Sequence, residues 1–398
     1  MNLTIMPGKL HGKVRAIPSK SQAHRMLICA AFADGPTFLN CPETNRDIDA
    51  TAQCLSALGA QIIRSPEGFG VTPIQEVPKS AVLPCQDSGS TLRFLLPVAG
   101  ALGCDATFLL TGRLPQRPLS PLWEEMERMG CHLSRPTENT VRCQGRLQAG
   151  VYTIDGGVSS QFITGLLLAL ALVPGESRLT VLGQLESAPY VTMTQQVMAL
   201  FGKDTARLAV SGGRFHSPGK QWVEGDWSNA AFFLAAKALG SDVQVENLNL
   251  ESAQGDRACF TLLPELMNGT QTICAADIPD LVPILSVVAA AAHGAEFTNI
   301  HRLRLKESDR VEAVIHMLTA LGGQAEAVGD TLRVYGTGLT GGTVDSRNDH
   351  RIAMSAAIAS TVCSRSVTIL GAECTEKSYP SFFREFKKLG GSYEQHLR

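Results

Sequence analysis

The sequence lacks the marks of several large protein classes. Its 35 basic and 37 acidic residues leave a formal net charge of -2. No overall field therefore draws the chain to nucleic acid or to a membrane, and any anion binding must come from local basic clusters. Aromatic residues are only 6% and show no interleaving with basic ones, which argues against a nucleic-acid surface. No CxxC, no HExxH and no His/Cys pair at metal-ligand spacing occurs, so a metal-dependent mechanism has no support. "SPGKQ" misses the spacing and the Ser/Thr of a P-loop, and no GxGxxG opens a helix after a strand. The opening "MNLTIMPGKLHGKV" has no apolar signal region, and the expectation is a protein that is not exported. The longest apolar runs, "GLLLALALV" and "LVPILSVVAAAA", are too short to span a bilayer and read as buried helices.

What is present suits a globular α/β enzyme. At 398 residues, 44% of them hydrophobic and 18% charged, two domains are expected. The eleven cysteines are odd in number and scattered, which suits reduced thiols in a cytoplasm better than a disulfide framework. Six helical segments end in an apolar residue or Asn followed by glycine and a strand-like run. The glycines are Gly59, Gly130, Gly202, Gly269, Gly322 and Gly390. Each supplies the C′ position that closes a helix. Their spacings run from 67 to 72 residues except for one 53-residue step, suggesting six similar αβ units, three per domain, with one trimmed. The alternative is that Leu-Gly is simply a common helix ending in any α/β protein. Composition puts one crossover between domains near Asp226 and the other around "AIPSKSQAH". The expected domains are 1–18 with 226–398, and 19–225, with hinges near 18–20 and 225–228.

Five helices share a polar start and an almost wholly apolar body. They open at Ser19-Lys20-Ser21, Ser88-Gly89-Ser90, Ser159-Ser160-Gln161, Asp280, and Asn348-Asp349-His350-Arg351. Helices apolar all round must be buried by their neighbours, and capping alone explains any single polar start. Five together, carrying Lys20, Arg25 and Arg351, point further, because helix N-termini and buried cations both favour anions. Arg113 and Arg117 sit in a Pro-rich loop and Lys377 in a loop before the last helix. Taken alone, the run "HRLRLKESDR" reads as a solvated face. Together these groups suit ligands bearing phosphate and carboxylate.

The segments "PSKSQAHR", "DSGSTLRF", "LPQRPL", "VSSQF", "ESAPYV", "IPD", "RLKESDR", "NDHRIAM" and "CTEKSYP" occur in this order from end to end. In this the chain closely resembles the 3-phosphoshikimate 1-carboxyvinyltransferase (EPSP synthase) family. The resemblance implies an α/β inverse-barrel-like fold of two domains, each of three βαβαββ units, closing on substrate. It implies transfer of the enolpyruvyl group of phosphoenolpyruvate to the 5-hydroxyl of 3-phosphoshikimate, without metal or other cofactor, by a monomeric cytoplasmic enzyme. Carried over, 3-phosphoshikimate would be held by Lys20, Ser21, Arg25, Ser159, Ser160, Gln161, Ser187, Asp280 and Lys306, with Tyr190 beside them. Phosphoenolpyruvate would be held by Lys20, Gly89, Arg117, Gln161, Arg310, Arg351 and Lys377. Asp280 would be the base for the hydroxyl and Glu307 the acid for the methylene carbon, with Lys20 touching both substrates. Arg304 and Asp309 would be structural or solvated.

The chain departs from the family at Asp87, where many members have Asn, and at Arg302, where some have Asn. It is also short between Phe201 and Gly225. A sister enzyme transfers enolpyruvyl to UDP-N-acetylglucosamine, but it has Lys-Asn where this chain has Lys20-Ser21. It also uses a loop cysteine, and the loop from Thr111 to Pro118 has none. A catalytically silent anion-binding protein on the same scaffold is the other reading, against which stand Lys20, Asp280 and Glu307.

Overall fold

A computed structural model describes residues 1–396. The chain forms two compact units, Met1–Ile17 with Gly225–Arg398, and Pro18–Glu224. It passes from one to the other between Ile17 and Pro18 and returns between Glu224 and Gly225, a residue before each expected boundary.

The unit Pro18–Glu224 holds three helix pairs. These are α1 (Lys20–Ala31) and α2 (Arg46–Ala57), α3 (Gly89–Leu102) and α4 (Leu122–Arg128), and α5 (Ser160–Leu170) and α6 (Ala188–Leu200). The other unit holds α7 (Trp227–Ala238) and α8 (Cys259–Asn268), α9 (Val282–Ala291) and α10 (Arg310–Ala320), and α11 (His350–Ala359) and α12 (Phe382–Lys388). The first helix of each pair is the apolar one. Nearly every residue of α3, α5, α9 and α11 is buried, because neighbouring helices and sheets cover all sides. At roughly 1.5–3 kcal/mol for each large apolar side chain removed from water, these helices dominate the stability of their units.

Six small sheets accompany the six pairs, among the described residues. The repeat around α3 is complete. Strand Ser80–Gln86 runs parallel to Asp105–Leu110, which lies antiparallel to Thr140–Gly145, itself paired with Cys131–Ser134. The repeat around α9 has the same order, from Gln271–Cys274 through Ala295–Thr298 to the hairpin Gln324–Val328 and Thr331–Tyr335. Two others are completed from far along the chain. Asn2–Ile5 fills the sheet of Val367–Leu370, and Lys220–Trp222 pairs with Thr37–Asn40. The sheet around α5 has a single antiparallel strand, Ala209–Ser211.

The sixth sheet explains the short glycine step. His11–Arg15 pairs with Asp242–Glu246 and, among the described residues, with nothing else. No hairpin follows α8, which runs through Gly269 straight into the next repeat. The missing hairpin shortens that interval to 53 residues. Gly269 also differs from the other five glycines, which all have left-handed φ (75° to 109°) while Gly269 is extended at 167°. The same left-handed ending closes α3 at Gly103 and α7 at Gly240, so the motif alone does not mark repeats.

Candidate active site

Within Pro18–Glu224, the polar starts of α1, α3 and α5 carry most of the candidate residues. Ser19, Ser88 and Ser159 act as N-caps, accepting from Gln22, Thr91 and Gln161 backbone N–H groups. Ser88, not Asp87, therefore satisfies the start of α3. Lys20 Nζ lies 2.8 Å from Asp47 Oδ2, and both groups are largely buried. Asp47 is tied to α3, since its backbone carbonyl lies 3.4 Å from Thr91 Oγ1. Sequence reasoning missed Asp47. Its position one turn into a helix capped by Asn45 reads as an ordinary first-turn acid.

Arg25 is buried and surrounded by neutral partners. It donates to Thr194 Oγ1 at 2.8 Å, Ser21 O at 2.6 Å, Thr164 Oγ1 at 3.2 Å and Tyr190 O at 3.1 Å, with its guanidinium over the Phe94 ring. Burial pulls its pKa down to about 10. A buried cation whose contacts are neutral is costly unless an anion joins it. Ser187, buried at the start of α6, holds left-handed φ of 56°, unusual for serine.

Gly89 has a different role from the serines beside it. A Cβ there would stand 2.8 Å from Arg117 Nη1 and 3.0 Å from Arg93 Nη1. Two guanidinium groups thus lie over the bare backbone at the N-terminus of α3. Arg93 also donates to Gln161 Oε1 at 2.9 Å and to Pro118 O, and Gln161 Nε2 donates to Ser90 Oγ at 3.0 Å. Gly89, Arg117, Gln161 and Ser90 are therefore one cluster with Arg93 at its centre. Arg93 was absent from the expected ligands, although a charge inside the apolar "STLRFLLPV" carries the same signal as Arg25. Arg117 follows the short 3-10 turn Leu114–Gln116 and is half-buried, while Arg113 is exposed.

In the other unit, Asp280, Lys306, Glu307, Arg310 and Arg351 converge. Arg310, at 1% side-chain exposure, donates to three carboxylates: Asp280 Oδ1 at 2.6 Å, Glu307 Oε2 at 2.7 Å and Asp349 Oδ2 at 2.8 Å. Arg351 donates to Asp280 Oδ2 at 3.0 Å, and Lys306 Nζ is 3.6 Å from Asp280 Oδ1. Asp280 does not cap its helix: α9 has Leu281 at that position and no side-chain cap. Its carboxylate is spent on cations instead. Burial would raise the Asp280 pKa, but Arg351, Lys306 and Arg310 outweigh it and hold the group well below the usual carboxylate range. Burial lowers the Lys306 pKa to about 8.

Asp349 is fully buried, caps α11 through the Arg351 N–H, and also accepts from Ser308 Oγ at 2.9 Å. It anchors Arg310 from behind. Asp309 caps α10 and pairs with Arg304 at 3.0 Å, and Arg302 is buried. Lys377 lies not in a loop but at the end of the 3-10 helix Ala372–Lys377, buried. A sixth polar start was missed: Asp226 caps α7, accepting from Asn229 N–H at 2.8 Å. The sequence marks a crossover near Asp226 and a helix resuming at Asn229, but not the cap that starts it.

All eleven cysteines are free, and ten are buried. No helix among the described residues is long and apolar enough to cross a membrane.

Comparison with known proteins places these clusters in a family context. The family model described as EPSP synthase (3-phosphoshikimate 1-carboxyvinyltransferase) matches residues 5–276 and 267–386. The 3-phosphoshikimate 1-carboxyvinyltransferase of Clostridium botulinum (strain Eklund 17B / Type B) is 37% identical, with 98% of each chain covered. That of Clostridium acetobutylicum is also 37% identical, again over 98% of each. Among solved structures, EPSP synthase from Acinetobacter baumannii superposes with a TM-score of 0.79 at 23% identity, covering 99% of this chain and all of that one. The enolpyruvyl transferase NikO from Streptomyces tendae gives 0.78 at 19% identity, covering 100% and 99%. These structures share the six-repeat α/β fold, and the sequence matches are decisive: the chain belongs to the EPSP synthase (3-phosphoshikimate 1-carboxyvinyltransferase) family.

Proposed function

We propose that the protein transfers the enolpyruvyl group of phosphoenolpyruvate to the 5-hydroxyl of 3-phosphoshikimate, releasing phosphate. The reading is supported by full-length identity to enzymes of that name. The observation that carries the chemistry is Arg310, which holds Asp280 and Glu307 on one guanidinium. The reaction needs a proton delivered to the methylene carbon, an alcohol proton removed, and phosphate expelled once the hydroxyl oxygen has bonded to carbon. Two carboxyls in different protonation states serve this. Glu307 is assigned as the acid and Asp280 as the base. Asp280 is a weak base while three cations hold it. Substrate anions that occupy Arg310, Arg351 and Lys306 would raise its proton affinity, coupling base strength to binding.

3-Phosphoshikimate is assigned to Lys20, Ser21, Arg25, Ser159, Ser160, Gln161, Ser187, Asp280 and Lys306, with Tyr190 adjoining. Phosphoenolpyruvate is assigned to Lys20, Gly89, Arg117, Gln161, Arg310, Arg351 and Lys377, to which Arg93 is added. Run in D2O with both substrates, the protein should yield an enolpyruvyl ether carrying deuterium in its methylene group by proton NMR. An ether free of deuterium would remove the carbon-protonation step.

Two further outcomes follow from the geometry. A methyl group at position 89 displaces the Arg117 and Arg93 guanidinium ends, the far tips of long side chains, and leaves the backbone in place. Gly89→Ala should therefore raise the KM for phosphoenolpyruvate about 10–100-fold, the equivalent of one charged hydrogen bond, with that for 3-phosphoshikimate little changed. Steady-state titration of each substrate checks this. Lys306 faces Asp280, Arg302, Arg310 and Glu307, and loses its charge as pH rises through about 8. Affinity for 3-phosphoshikimate should then fall about tenfold per pH unit above that value. Lys306→Arg keeps the charge and should abolish the alkaline limb in calorimetric titrations.

A further inference from the structure

The chain holds thiols that the reaction does not use, and two of them are placed as a pair. Cys131 opens the strand Cys131–Ser134 opposite Gly145, while Cys143 stands opposite Leu133. The two cysteines are thus diagonal neighbours across an antiparallel ladder, on the same face, since side chains alternate with period two. That face is the buried one: His132 between them in register points out, and Leu133 and Val141 lie beside them in the core. The Cys131 sulfur packs on α3, 2.7 Å from where a Cβ on Gly100 would stand. Each thiol is the first influence on the other's pKa, as neighbours on one face of the ladder should be.

We propose that Cys131 and Cys143 are a redox pair that a peroxide closes into a reversible disulfide. The Cys131 thiolate attacks one peroxide oxygen. The O–O bond breaks, sulfur is oxidised to a sulfenic acid, and the second oxygen leaves as water after protonation. Cys143 sulfur then attacks Cys131 sulfur, the S–O bond breaks, and the hydroxyl departs as water with the Cys143 proton. Overall, two thiols and one peroxide give one disulfide and two waters.

The direction of attack follows from the surroundings. Cys131 retains 7% exposure, and the neighbouring Cys143 thiol lowers its pKa. Cys143 is fully buried, and the Cys131 thiol, then burial, push its pKa up. The residue that keeps some exposure therefore carries the better thiolate, and the fully buried one resolves it. A second thiol pair, Cys54 and Cys85, has no exposed member, and burial raises the pKa of Cys85. That pair should remain reduced.

The test uses the full chain. It is treated with a few equivalents of hydrogen peroxide, unfolded in N-ethylmaleimide, digested and examined by mass spectrometry. The expected result is a peptide pair joined through Cys131 and Cys143, lost on treatment with dithiothreitol. Cys143→Ser should leave a sulfenic acid at Cys131 that dimedone traps. Alkylation of both Cys131 and Cys143 in the treated wild-type protein, with oxidation confined to exposed Cys274, would overturn the proposal. So would a disulfide joining Cys54 to Cys85 in place of the expected one.

Discussion

Glu307→Gln is expected to lower kcat by about two to four orders of magnitude, the usual span for a general acid or base, without unfolding the protein. Glutamine keeps an oxygen able to accept from Arg310 Nη2, now 2.7 Å from Glu307 Oε2, so the local geometry survives while the transferable proton is lost. Glu307 lies ahead of α10, whose cap is Asp309, and its competing role is solely to balance the Arg310 charge. Under that role the variant would show a lowered melting temperature and nearly normal kcat. Asp280→Asn should lose kcat similarly, because the hydroxyl proton loses its acceptor. In neither variant should the affinity for 3-phosphoshikimate fall as far as kcat, since Arg25 and the α5 start are untouched.

Replacing Arg310 should be the most damaging single change to stability. Arg310→Leu strips a guanidinium from Asp280, Glu307 and Asp349, and Asp349 is fully buried. Removing one partner of a buried ion pair typically costs about 3–5 kcal/mol, because the remaining charge is left uncompensated. Urea unfolding at neutral pH measures this. The sign of its pH dependence is also fixed. Burial alone would raise the Asp349 pKa, but Arg310 and the neighbouring His350 bring it below the ordinary value, as the cations do for Asp280. Groups with depressed folded pKa contribute stability above their unfolded values, near 4, and lose it as pH falls through the folded ones. The gap between wild type and Arg310→Leu should therefore narrow in acid. A loss under about 1 kcal/mol at neutral pH would mean that the three carboxylates are not held by this arginine.

The fold was legible because its signals are local. Apolar runs too short for a membrane became α5 and α9, and the serines before α1, α3 and α5 became caps at Ser19, Ser88 and Ser159. Glycine spacing suggested six repeats, although the same ending also closes α3 and α7. It could not show that Asn2–Ile5 and Lys220–Trp222 complete distant sheets, because such pairing leaves no periodic trace. A helix resuming at Asn229 was legible and is α7, but its cap, Asp226, was hidden because its approach resembles a linker. The site was legible as residue types and not as partnerships. Nothing local distinguishes Asp280 as a helix cap from Asp280 as the acceptor of three cations 26 to 71 residues away in sequence. Asp47 was hidden for the same reason, being an ordinary first-turn acid until Lys20 is seen beside it.

The most direct test is steady-state phosphate release from phosphoenolpyruvate with each of two acceptors. The account predicts release that saturates with 3-phosphoshikimate, yields one enolpyruvyl ether per phosphate, and is absent with UDP-N-acetylglucosamine. Release with the UDP-sugar, or none with 3-phosphoshikimate from a folded protein, would contradict it.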